Sequence, residues 1–94
     1  MGIKILSIMK IKLGKTTDVI NALKSMSVVK EIFYITGEYD IAILMEGESE
    51  TELNENYLNQ IDKIEGIDNS VSHLVIKHWM CRPHSTSIKD ENRK

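Results

Sequence analysis

Ninety-four residues, 41% of them hydrophobic and 28% charged, exclude a disordered or collagen-like chain and fit one domain with a small core, so that any further stability would come from self-association. The formal charge of -2 supplies no overall basic field for a phosphate backbone, which disfavours DNA binding by this chain alone. The single cysteine, Cys81, excludes an intramolecular disulfide and points to a reducing compartment.

The opening MGIKILSIMKIKLGK is interrupted by lysines and has no small-residue cleavage site after it, unlike a signal peptide. Leu6 stands where a myristoylation signal wants Ser or Thr, and no uninterrupted apolar run reaches the length of a membrane span. The expectation is a soluble, cytoplasmic protein. Alternation predicts a first strand over Ile3–Ile11, with Ile3, Ile5, Met9 and Ile11 on one face and Leu6 and Ile8 on the other. KLGKTTD then offers a glycine turn and a threonine cap to a helix from Asp18 to Ser25, whose buried stripe is Val19, Ile20, Leu23 and Met26.

VVKEIFYIT, residues 28–36, reads as an edge strand with Lys30 and Glu31 near its start. After a turn, DIAILME places Ile41, Ile43 and Met45 on one face and Ala42 and Leu44 on the other. Ser49 is the expected N-cap of a second helix, with Glu50 and Glu52 in its first turn and Leu53, Tyr57, Ile61 and Ile64 as its stripe. Gly66 stops that helix. A last strand is predicted from Ser70 to Trp79, with Trp79 plugging a subunit contact and His73 half-buried. Residues 1–79 form the domain, and 80–94 a polar tail containing the only proline.

The order βαββαβ predicts an α+β, ferredoxin-like sandwich: a four-stranded antiparallel-mixed sheet, first and third strands innermost, with two helices on one face. Those two strands are apolar on both parities. Leu6, Ile8, Ala42 and Leu44, or else the opposite parity, would then meet water in a lone subunit. At roughly 1.5 to 3 kcal/mol per fully buried side chain, sealing that face would supply a large share of a small domain's net stability. The expectation is an obligate homo-oligomer, its other sheet face buried by dimerisation.

ITGEYDIAILMEG, with the later LNQIDKIEGIDNSVSHLVIK, resembles the effector-binding (RAM) domain of the Lrp/AsnC, or feast/famine, regulators. Thr36, Gly37, Tyr39 and Asp40 match the family's turn, Gly66 and Ile67 its glycine-valine pair, and Ser72 stands where a threonine is usual. The likeness runs from about Ile3 to Trp79. It implies a dimer that assembles further and binds an effector such as an amino acid where dimers meet, between the turn and the approach to the last strand. On that basis Asn69, Ser70 and Ser72 are candidate contacts. The family's usual helix-turn-helix domain is expected to be missing, since this chain begins at the first strand. The resemblance therefore implies a stand-alone sensor that modulates full-length family members, with no direct nucleic-acid contact, no catalysis and no cofactor.

An amino-acid effector needs an acceptor for its ammonium and donors for its carboxylate. Asp40 can supply the first, and backbone N–H groups around Gly37 and Glu38 the second, with hydroxyls from Thr36 and Tyr39. The alternatives are structural: Asp40 ties down its own turn, Tyr39 packs, Glu38 is solvated, and Gly37 serves a type II′ turn at its first central position. His78, Cys81 and His84 are spaced by three, but as a strand end and loose tail without a fourth ligand they are not read as a metal site. No nucleophile frame or phosphate-cradling glycine loop is present. Two rival readings remain: a small dimeric α+β barrel enzyme, using His73 or His78 in a pocket between sheet and helices, and a ligand-free assembly domain.

Overall fold

A computed structural model describes residues 2–82. Strand β1 (Ile3–Ile11) is followed by helix α1 (Thr16–Lys24), strands β2 (Val29–Tyr34) and β3 (Ile41–Gly47), a composite helix and strand β4 (Ile67–Leu74). The sheet order is β2-β3-β1-β4, and all three pairings are antiparallel. The expected inner pair, β1 and β3, therefore lies at the centre of a purely antiparallel sheet.

The two parities of the inner strands settle into different environments. Ile5, Met9 and Ile11 of β1 and Ile41, Ile43 and Met45 of β3 are buried with Val19 and Leu23 of α1. Met9 and Met45 lie at the centre, where unbranched thioethers fill irregular space. Ser7 is buried in the same layer, and its hydroxyl is satisfied by the Ser72 hydroxyl across the β1–β4 pairing. On the opposite parity Leu6 is 36% exposed, and Phe33 and Val71 beside it are 48% and 37% exposed. Ile8, Ala42 and Leu44 complete this open face, half-buried. Of the two parities left undecided by the sequence, the one bearing Leu6 and Ile8 is uncovered in the single chain.

The second helix starts as predicted. Ser49 accepts the Glu52 N–H at 3.1 Å, and the Glu52 carboxylate accepts the Glu48 N–H at 2.9 Å, satisfying two amide groups at the helix entrance. Helical residues Glu50–Glu52 (α2) and Asn59–Asp62 (α3) flank six π-helical residues, Leu53–Leu58. Leu53 and Ile61 are 0% and 1% exposed. Their separation of eight residues exceeds two α-helical turns of about 3.6 residues each. The wider π turns absorb that excess, so both side chains reach the same core.

Several boundaries differ from the expectations. Helix α1 begins at Thr16, with Lys15 at its cap position and no side-chain cap bond, because the turn closed by Lys15 N–H on the Lys12 carbonyl delivers both threonines already inside the helix. The second helix ends at Asp62 rather than at Gly66, and strand β4 begins at Ile67, because Gly66, at φ +107, closes the turn 63–66 that leads into the sheet. It ends at Leu74 rather than Trp79, because its partner β1 runs out at Ile3; the Val75 N–H still reaches the Lys4 carbonyl at 2.9 Å. Trp79 is consequently 74% exposed, touched by the Lys77 ammonium 5.7 Å above its ring, and His73 is exposed on the open face. Most of the expected tail, 83–94, lies outside the described residues.

Candidate functional site

The loop between β2 and β3 is wider than a two-residue type II′ turn. The Ile35 N–H donates to the Asp40 carbonyl at 2.8 Å, whereas the Asp40 N–H turns to the Met9 carbonyl of β1 at 3.0 Å. Residues 36–39 therefore project beyond the hairpin. Gly37 has φ +111, which favours glycine on backbone grounds, while a Cβ there would meet nothing within 4 Å. Thr36, Gly37 and Glu38 are exposed; Tyr39 and Asp40 are half-buried.

Two successive residues at the end of β1 hold this loop in place. One Asp40 carboxylate oxygen accepts the Ile11 N–H at 2.8 Å, and the Lys10 ammonium donates to the Glu38 carbonyl at 3.2 Å. Asp40 thus ties the loop to a neighbouring strand, an anchor that neither the free-acceptor reading nor the own-turn reading anticipated. Its second oxygen has no hydrogen-bond partner among the described residues.

On the other side of β1, Lys10 pairs with Asn69 of β4, and the register then shifts so that Ile11 faces Ile67. Directly opposed antiparallel residues share a sheet face, so Lys10 and the exposed Asn69 stand together on the open side. Ser70 and Ser72 belong to the other face. Ser70 donates to the Asp62 carboxylate at 3.2 Å, and Ser72 meets Ser7, so the sheet separates both from the hairpin loop. The structure groups Asn69 with the loop and leaves the two serines outside. Lys10 was missed in the sequence; its signal is its place at the end of β1, which the β1–β3 pairing brings beside the loop.

A separate cavity of about 300 Å³ lies at the far end of the open face, lined by Lys4, Leu44, Val75 and His78 among others. It lies on the side away from the helices, whereas the barrel-enzyme reading requires a pocket between sheet and helices. The helix side of the sheet is occupied by packed core. Of the three spaced candidates for a metal, His78 and Cys81 are exposed and His84 lies outside the described residues. Among the described residues no group of three or more His, Cys, Asp or Glu is disposed to hold a metal ion, and no helix is long and apolar enough to cross a membrane.

Comparison with known proteins agrees with this geometry. The family described as the Lrp/AsnC ligand binding domain matches residues 7–84. The HTH-type transcriptional regulator FL11 of Pyrococcus furiosus is 30% identical over 79 residues, which are 82% of this chain and 52% of that protein. The chain thus spans about half the length of the curated relatives it matches. Among solved structures, FFRP-DM1 superposes with a TM-score of 0.75 at 26% identity, over 79% of this chain and 99% of that one. Escherichia coli AsnC superposes with a TM-score of 0.77 over 94% of this chain and 57% of that one, a likeness of fold at 24% identity. The chain belongs to the Lrp/AsnC ligand-binding-domain family, a family of regulatory effector-binding domains with the ferredoxin-like α+β fold described above.

Proposed function

We propose that this chain is a stand-alone effector-binding domain that senses an amino acid and modulates full-length regulators of its family without itself contacting DNA. The observation that carries the reading is the exposed loop 36–39, anchored by Lys10 and Asp40 at the rim of an uncovered apolar sheet face. A second copy stacked on that face buries Leu6, Phe33 and Val71, and the anchored loops then flank clefts between assembled copies. Further association of such dimers encloses the loops. FFRP-DM1, a solved chain matched over 99% of its length, has the same extent as the part of this chain that it covers. A reducing, cytoplasmic setting suits the one exposed cysteine.

Within the loop, Asp40 takes the effector's ammonium on its second oxygen, and Thr36, Gly37, Glu38 and Tyr39 form the cleft wall. Asn69 closes it from β4, while Ser70 and Ser72 support the strand from behind. Calorimetric titration of the oligomer with each of the twenty amino acids tests the reading. Saturable binding by one or a few is expected. Absence of heat at millimolar concentration for all twenty would leave a ligand-free assembly domain.

A further inference from the structure

We propose that Lys10, with Asn69 beside it, is the carboxylate-binding element of the effector site, so that the site selects free carboxylic acids, α-amino acids among them. The inference deepens the effector-binding reading and rests on it for the site's location. Lys10 is the residue at which the two halves of the candidate site converge: its ammonium reaches the Glu38 carbonyl at 3.2 Å, and its backbone pairs with Asn69.

The charge arrangement supports this role. Two carboxylates, Glu38 and Asp40, lie on the loop beside Lys10, yet neither forms an ion pair with it. Among the described residues the ion pairs join Lys4 to Glu46 and Lys15 to Glu65. Glu38 offers Lys10 its main-chain oxygen instead, and Asp40 directs one oxygen to the Ile11 N–H. An ammonium has three donors. With one on the Glu38 carbonyl, two remain for an incoming anion, and the Asn69 amide adds another donor on the same face. The Glu38 carboxylate and the second Asp40 oxygen stay available for a positive group. A zwitterion therefore meets opposite charge at each end: its carboxylate at Lys10 and Asn69, its ammonium at the loop. This replaces the backbone amides of Gly37 and Glu38 as the expected carboxylate donors.

The test uses two ligand series on the full chain. In the first, sodium acetate is titrated at constant ionic strength against a chloride control, and amide chemical shifts are followed by NMR. Acetate-specific, saturating shifts are expected at Lys10, Glu38 and Asn69, retained in Lys10→Arg and lost in Lys10→Met. In the second, each amino acid that binds is compared with its carboxamide. The wild type should favour the acid by about tenfold or more, the scale of one charge-assisted hydrogen bond, and Lys10→Met should bring the acid-to-amide ratio close to unity, a ratio taken within each variant so that loosening of the loop weakens both ligands alike. Lys10 is exposed, so its substitution leaves the fold intact, as a matching amide spectrum away from the site would verify. Acetate shifts that persist in Lys10→Met, or carboxamides that bind as tightly as the acids, would overturn the proposal. A Lys10-dependent acetate response without any amino-acid binding would leave the carboxylate site standing and remove the amino-acid effector; the absence of both would remove the two together.

Discussion

Asp40 serves the fold with one carboxylate oxygen and, in the proposed site, offers the other to a ligand. Its engaged oxygen satisfies the Ile11 N–H, a part-buried donor that would otherwise lack a partner at the end of β1. Asp40→Ala should therefore cost about 1 to 3 kcal/mol in urea unfolding and loosen the loop. Asp40→Asn keeps an amide oxygen for Ile11 but removes the charge, so its unfolding midpoint should stay close to the wild type while amino-acid binding falls. Equal damage by both substitutions in binding and in stability would contradict the division between the two oxygens. Gly66 is constrained more severely: a Cβ there would lie 2.8 Å from the Lys15 Cβ and 3.0 Å from the Val19 Cγ2, at a φ of +107. Gly66→Ala should destabilise by about 3 kcal/mol, summing left-handed strain and overpacking against α1.

At the scale of elements, the composite helix 50–62 carries the clearest local logic. Its start is set by side chains adjacent in sequence, since Ser49 and Glu52 exchange bonds with the first amides. Ser49→Ala should lower stability by about 1 kcal/mol, read as a shift in denaturation midpoint without a change of slope. Its middle is set by distant partners. Leu53 and Ile61 must both enter the core beneath β1 and β3, and the π turns, with more residues per turn, remove the over-rotation that an unbroken α-helix would accumulate between them. Leu53→Ala and Ile61→Ala should each cost about 2 to 5 kcal/mol, because both side chains are fully enclosed. Strand β4 is likewise bounded by others: Gly66 launches it, and the end of β1 terminates it.

For the whole molecule, the consequential feature is the difference between the two sheet faces. One is sealed by helices; the other exposes Leu6, Phe33 and Val71 with half-buried Ile8 and Leu44 between them. Full burial of such a side chain is worth roughly 1.5 to 3 kcal/mol, of which only the fraction still exposed remains to be gained when a second copy stacks there, and that gain is the driving force of the proposed dimer. Sedimentation at micromolar concentration should show a dimer or larger assembly for the wild type. Leu6→Glu should shift the population toward monomer, since a buried unpaired carboxylate is costly. Wild-type monomer under those conditions would refute the stacking and the clefts that depend on it.

The strand and helix order, the two central strands and the cap at Ser49 were legible in the sequence because each rests on alternation or on residues a few positions apart; the helix end was not, since it falls at Asp62, short of Gly66. The hairpin candidates Thr36 to Asp40 were legible as a polar interruption between apolar runs, but their loop width was not, because the Asp40 N–H is drawn to Met9 of another strand. Lys10 escaped notice, and Ser70 and Ser72 were placed with the loop, for one reason: facing depends on register between segments some sixty residues apart. By itself the sequence determined that β1 and β3 would be apolar on both sides and would therefore lie innermost. Only the tertiary structure decided which side the helices cover and which residues reach the loop, because those outcomes depend on how separate segments return to one another in space.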